Sequence, residues 1–367
     1  MVRDSNRIQF AQKDQAAFFK DLKNAINNHF EKRNISRKGN LSLYLKSIIF
    51  LLVYLVPIFL ILLNILQSWW IIVGYAIMGF GVVGIGMSIM HDAIHGSYSE
   101  KSWVNNLMGR TIDLVGGNAV SWKIQHNILH HTFTNLFGLD EDIEDKPILR
   151  LSPHGKLLKV HRYQHYYAIF LYSLTTLSWV TLKDFKQLDD YRKRGYLEKI
   201  GVSYSAAAIE MIVCKLLYFL IFLAMPLVLN SSGWIWVIAG FFVMHFVAGS
   251  ILTIVFQLAH VVEQTEHPEV DESGLMENCW AIHQLKTTSN FAKNNRFLSW
   301  YIGGLNYQIE HHLFPHISHI HYRSLSDIVK DTAREHGIPY NEYPTFFGAV
   351  NSHFKVLRLL GRGEFLN

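Results

Sequence analysis

Two long stretches without a formal charge constrain this chain more than any other feature. From Ser47 to Met90, and again from Leu216 to Val262, there is no Asp, Glu, Lys or Arg. A helix needs about 20 predominantly apolar residues to cross a bilayer, so each stretch is long enough for two crossings. The first stretch breaks at Asn64 to Ser68, ahead of Trp69-Trp70, and the second at Asn230-Ser231-Ser232-Gly233, ahead of Trp234 and Trp236. Trp commonly sits at the membrane interface, which suits both turns. The expected fold is an all-α integral membrane protein with four transmembrane helices in two hairpins. Composition agrees: half of the 367 residues are hydrophobic and only 17% are charged, too apolar for a disordered chain and too poor in charge for an ordinary soluble domain. Two cysteines, Cys214 and Cys279, exclude a disulfide framework and a CxxC zinc ribbon.

The cations set the orientation. Both short turns lack Lys and Arg. The first 46 residues carry Arg3, Arg7, Lys13, Lys20, Lys23, Lys32, Arg33, Arg37, Lys38 and Lys46, and the middle of the chain carries Lys183, Lys186, Arg192, Lys193, Arg194 and Lys199. The positive-inside rule then places both termini and the middle segment in the cytoplasm. No short apolar region followed by a small-residue cleavage site opens the chain, so a removed signal peptide is not expected. Tyr163 to Leu182 has no formal charge but holds Gln164, His165, Ser173, Thr175 and Thr176; it reads as a helix in or dipping into the interface, with a fifth crossing as the alternative. Gly74, Gly79, Gly81, Gly84 and Gly86 line the second span, where small residues let helices approach closely. From Leu325 onward a cytoplasmic helix and a turn near Pro339 to Pro344 are expected. The chain is thus one domain, 1–367. It comprises an N-terminal cytoplasmic segment 1–46, a first hairpin 47–90, a cytoplasmic cap 91–205, a second hairpin 206–257 and a cytoplasmic C-terminal part 258–367.

Twenty histidines are the excessive count. His91 and His95 follow the first hairpin, and His126 and His130 repeat their spacing, with His131 adjacent. Residues four apart share one helix face, so each pair can grip one metal, and His131 lies on a neighbouring stripe that could reach a second. The third group is Gln308-Ile309-Glu310-His311-His312, and His260 follows the fourth span. All four groups fall on one side of the membrane only if there are four spans. His91, His95, His126, His130, His131, His260, His311 and His312 are too many for one ion. They suit two first-row metals, and imidazole does not choose among zinc, copper, iron and nickel. Asp92, Asn127 and Glu310 could orient the rings, with Asp92 the best placed; Asp140, Glu141 and Asp142 could do so or form a solvated loop. His29, His154, His161, His267, His283, His336 and His353 read as surface or hydrogen-bonded residues, and mid-span His245 as a hydrogen-bonded packing residue.

The three boxes, HxxxH at His91 to His95, HxxxHH at His126 to His131 and QxxHH at Gln308 to His312, resemble those of the membrane fatty acid desaturases. The likeness runs from about Met87 to Phe346. It includes His131-Thr132-Phe133-Thr134-Asn135, Asn290-Phe291-Ala292-Lys293-Asn294-Asn295 and His311-His312-Leu313-Phe314-Pro315. The glutamine resembles the front-end branch, of bacterial delta-6 and linoleoyl type, which desaturates between an existing double bond and the carboxyl end. The resemblance implies a di-iron centre (Fe2+/Fe3+), O2 as co-substrate, a fatty-acyl substrate on CoA or on a lipid, and the box histidines with His260 as ligands. Gln308 would ligate, hold a water or hydrogen-bond to a ligand. Many eukaryotic front-end enzymes carry a fused cytochrome b5 domain with a His-Pro-Gly-Gly motif, whereas this chain has His267-Pro268-Glu269-Val270. The electrons are therefore expected from a separate ferredoxin or cytochrome b5, which a basic cytoplasmic face would steer. Membrane lipids are the other partner, no nucleic acid is expected, and a bacterial inner membrane is the expected location.

Three rivals remain at this stage. An acyl-chain hydroxylase uses the same boxes. A zinc protease could use His91-Asp92-x-x-His95 as HExxH with Asp for Glu, which leaves the other boxes idle. A metal transporter would place ligands near the midplane, where only His245 lies.

Overall fold

The computed structural model describes residues 8–11, 16–144 and 148–365; Arg3, Arg7 and Lys13 of the basic N-terminal segment lie outside the described residues. Among the described residues, four helices are long and apolar enough to cross a membrane: Leu41–Leu62, Trp69–Ile94, Tyr204–Leu229 and Trp234–His260. These are the four expected spans, each longer than its charge-free stretch suggested. The first starts at Leu41 because Asn40 caps it, its Oδ1 accepting from Ser42 N at 3.0 Å. Lys46 is then carried inside the helix, buried, with its ammonium 5.7 Å from the Phe50 ring. The third span takes in Glu210, which pairs with Arg110, and Lys215. His260 closes the fourth helix rather than following it.

The chain separates into two compact units: one formed by the N-terminal segment to Lys38 with Gln125–Ala168 and Ile254 onward, the other by Gly39–Ile124 and Ile169–Thr253.

The second unit holds the first three spans and most of the fourth. Its two hairpin turns cap each other. Asn64 Nδ2 donates to Leu229 O at 2.8 Å and Asn64 Oδ1 accepts from Ser231 N at 2.7 Å, while Asn230 Nδ2 donates to Ile61 O at 2.9 Å. Helix-end carbonyls that have no intrahelical partner are satisfied in this way. Gly81 meets the backbone of Tyr54, where an added Cβ would come within 2.9 Å of three atoms; glycine there lets the first two spans touch. The Tyr163 to Leu182 segment is helical over Gln164–Ser173, then over Thr175–Ser178 and the π turn Trp179–Lys183, broken at Leu174, and is not among the four candidate crossings. His245 has the packing role expected, with its Nε2 3.0 Å from Tyr218 Oη and its Nδ1 3.2 Å from Thr176 Oγ1.

Lys215 is a buried charge of this unit. Its ammonium donates to Asp184 Oδ2 at 2.8 Å, Gly116 O at 2.9 Å and Trp179 O at 3.2 Å, so all three of its protons are used. Trp179 Nε1 donates to the other carboxylate oxygen at 2.8 Å.

The first unit packs around an apolar stripe. Phe18, Leu22, Ile26 and Phe30 recur every fourth residue on Ala16–Arg33, giving that helix one buried face. They meet Ala281, Ile282 and Leu285, the Ile309, Leu313 and Phe314 group, and Leu325, Val329 and Ala333 of the amphipathic helix Tyr322–Glu335. The helix expected in the C-terminal region is thus present, followed by a turn and the helix Phe346–Arg362. Two short parallel strand pairs tie distant segments: Gln9 and Phe10 lie opposite Leu275 and Met276, and Asn290 and Phe291 opposite Glu342 and Tyr343.

Lys215→Ala leaves Asp184 buried without its cation and is expected to cost about 3–5 kcal/mol, whereas the double change Lys215→Met with Asp184→Leu costs far less. Thermal unfolding in detergent reads both. Equal losses in the two variants would show that the pair contributes only volume.

Candidate metal centre

The second histidine box lies on a π-helical turn, Lys123–His130. The bond from His131 N to His126 O, 3.0 Å long, spans five residues instead of four. This wider turn brings both i+4 and i+5 over residue i, and such turns concentrate at functional sites. His131 therefore does not stand on a separate stripe, as an ordinary helix would place it. Its Nε2 lies 3.2 Å from His126 Nε2, and the His126 and His130 rings stack at 5.3 Å. In the third box, the short helix Gln308–Leu313 buries His311 and His312.

Each of three rings is held by its outer nitrogen. His130 Nδ1 lies 3.0 Å from Asp140 Oδ2, His260 Nδ1 3.3 Å from Thr287 O, and His312 Nδ1 2.8 Å from Gln284 Oε1. Carboxylate and carbonyl oxygens only accept, so Nδ1 carries the proton in each ring and Nε2 presents a lone pair. The three ligand nitrogens lie within 4.8 Å of one another, and those of His131, His311 and His312 form a second such group. His130 Nε2 and His260 Nε2 are buried with no hydrogen-bond partner among the described residues. Neutral lone pairs cannot bond to each other. A cation that accepts several imidazoles satisfies them, so the donor set fits a first-row metal.

Asp140 is fully buried and oriented in turn by Asn135 N at 2.9 Å and Asp142 N at 3.1 Å. Asn135 adopts a left-handed backbone, φ 58°, and its Nδ2 donates to His260 O at 2.8 Å and Glu266 O at 3.0 Å. One asparagine thereby links the loop after the second box to the end of the fourth span. Burial works against the charged form of both His130 and Asp140, but their mutual attraction outweighs it, raising the His130 pKa and lowering that of Asp140. Phe256 shields the group, its ring 4.9 Å from His130 and 5.1 Å from His260.

The remaining sequence candidates are placed as follows. His91 and His95 belong to the second unit, His91 opening the turn His91–Ile94 at the end of the second span and His95 capping it, with rings 4.8 Å apart and each edge-on to Trp122. Asp92 is buried, but its carboxylate is 3.7 Å from His91 Nδ1, longer than a hydrogen bond. Asn127 is half-buried and Gln308 is buried. Glu310 points to Asn290 Nδ2 and Tyr340 Oη, both at 2.8 Å; burial pushes its pKa up to about 7 against those two donors. Sequence reasoning preferred Asp92 as the orienting carboxylate and left Asp140 undecided between that role and a solvated loop. It did not single out Gln284 or Thr287, which carry no box signature. Of the histidines read as surface or hydrogen-bonded, His353 is bonded to Val261 O at 2.7 Å, but His267 is buried with neither ring nitrogen hydrogen-bonded among the described residues.

Four apolar spans and a buried cluster of convergent imidazoles define a membrane protein built to hold metal. A family model described as "Fatty acid desaturase" matches residues 67–344. An sn-1 linoleoyl-lipid 6-desaturase of Arthrospira platensis is 34% identical over 358 residues, covering 98% of this chain and 96% of that protein. One of Synechocystis is 33% identical over 98% of this chain and 99% of its own length. An acyl-lipid (8-3)-desaturase of Physcomitrium patens is 31% identical over 98% of this chain and 74% of its own length. The chain belongs to the fatty acid desaturase family and is an oxidoreductase of fatty-acyl chains.

Asp140→Asn keeps the shape but removes the charge that holds the His130 proton, and is expected to weaken metal binding about 10–100-fold. Metal content after dialysis against a graded chelator reads this; wild-type retention would remove Asp140 from the support of the site.

Proposed function

We propose that this chain is a front-end acyl-lipid desaturase. It introduces a cis double bond between an existing double bond and the carboxyl end of a linoleoyl-type chain, with two irons, O2 and electrons from a separate carrier. The observation that carries the metal part is the set of buried Nε2 lone pairs turned inward at His130, His260 and His312. The lipid substrate and its regiochemistry are supported by the names of the 6-desaturases above. The proposed ligands are His126, His130, His131, His260, His311 and His312, with His91 and His95 added on their box motif. Gln308, Asn127 and Asp92 are proposed to hold water or steady a ligand ring.

An unactivated C–H bond is beyond the reach of acid–base groups, and bound iron with O2 supplies the oxidising chemistry it needs. For each double bond one O2, two electrons and two protons enter, and the two hydrogens taken from adjacent carbons leave with the oxygen as two waters. The protein's part is positional. Asp140, Thr287 and Gln284 hold the Nδ1 protons so that the lone pairs stay aimed inward, and Phe256 keeps water off the rings. Residues 1–367 act as one desaturase domain. The Lys and Arg distribution supports cytoplasmic termini and active site, and a bacterial inner membrane is the proposed location.

Expression in a host supplied with linoleate is expected to yield methyl esters with a new cis double bond nearer the carboxyl end. His130→Ala and His312→Ala should lose both product and iron. A hydroxylated ester would overturn the desaturase reading, and full iron in the alanine variants would overturn the ligand assignment.

A further inference from the structure

The N-terminal helix carries more than a hydrophobic stripe. On Ala16–Arg33 the half-buried Phe19 ring meets Trp280 edge-on at 5.4 Å and Phe314 at 6.2 Å, and the exposed Lys23 ammonium sits 4.2 Å above its face. The Trp280 indole N–H donates to His131 O at 3.0 Å. Phe314 stands two residues after His312 and lies 6.3 Å from the exposed His316 ring. Cations gather on this side: Lys38 Nζ donates to His316 O at 3.2 Å, Arg37 lies 5.4 Å from the Phe30 ring, and Ser318 N donates to Arg37 O at 2.9 Å. Desolvation, and after it the Lys38, Arg37 and Lys23 charges, lower the His316 pKa. The two carboxylates of the helix are Asp21, held by His336 at 3.2 Å, and Glu31 near its far end. The basic rim thus borders a short aromatic route that ends on the backbone of the second box.

We propose that Lys23, Arg37 and Lys38 form the docking rim for a small acidic one-electron carrier protein, and that Phe19 and Trp280 carry its electron inward toward His131. The inference rests on the reading that two electrons reach the metals from a separate protein. The carrier is oxidised by one electron at each encounter, and two encounters serve one double bond. Charge complementarity selects an acidic partner and steers it. The aromatic pair gives this patch a function that a lipid-binding patch would not need, since anionic headgroups require only the cations.

The test uses the full chain in detergent, with reduced plant-type [2Fe–2S] ferredoxin as the probe. Binding of the probe to metal-free protein is expected to weaken about tenfold in Lys23→Glu/Lys38→Glu at low ionic strength, with the difference shrinking as salt screens the rim. Trp280→Leu should bind the probe normally but accept its electron about tenfold more slowly in a single turnover, while dithionite reduces it as fast as wild type. Trp280→Phe, which retains the ring, should recover most of the rate. Unchanged ferredoxin binding in the charge-reversal variant overturns the docking rim. So does loss of binding to phosphatidylglycerol vesicles with ferredoxin binding intact, which would make the patch a lipid contact. A wild-type protein that makes no double bond when it is first reduced with dithionite, freed of the excess reductant and then given O2 would overturn the desaturase reading itself. A desaturating wild type whose Trp280→Leu variant is reduced by ferredoxin at full speed overturns only the electron route.

Discussion

The site depends on hydrogen bonds made on the far side of the imidazoles. An imidazole binds metal through one nitrogen, and the proton on the other nitrogen decides which one is available. Here Asp140, Thr287 and Gln284 each take an Nδ1 proton, and three Nε2 lone pairs are thereby turned into one buried space. Without those acceptors the rings could rotate or change tautomer. The cluster would then be a group of buried polar atoms with an unrelieved desolvation cost. Metal binding is the arrangement in which both nitrogens of every such ring are satisfied.

The same logic governs the buried charges. Lys215 and Asp184 are taken out of water together, and carbonyls and an indole N–H use up their remaining hydrogen-bonding capacity. Asp140 is buried with backbone N–H groups on one side and an imidazole on the other. Neither Asp184 nor Asp140 is buried for packing alone. Asp184 ties the third span to the helix Asp184–Lys193, and Asp140 ties a loop to the proposed metal ligands.

Much of this was legible in the sequence because membrane crossing and metal ligation both demand particular residue types. Charge-free length announces a span, so four spans and both turns were read correctly. Their ends shifted because Lys46, Glu210 and Lys215 find partners inside the protein, which a count of charges does not register. Imidazole pairs at helical spacing announced the boxes. His131 stands nearer His126 than an ordinary helix would put it, because the π turn at Lys123–His130 brings residues five apart onto one face, yet it still groups with His311 and His312 apart from His130 and His260. Asp140 looked like part of an acidic loop because nothing local marks its burial.

By itself, then, the chain's order of residues determined how many times it can enter a bilayer, which end of each span carries cations, and which side chains can ligate metal. These follow from chemistry that each residue carries alone. Tertiary structure decided which nitrogen of each ring faces inward and which carboxylate does the orienting. It also decided that an N-terminal phenylalanine stands between a lysine and the tryptophan bonded to the second box. Some of these partners are near in sequence, as Asp140 is to His130, and others far apart, as Phe19 is from Trp280, but in every case only folding fixes which atoms of the two meet.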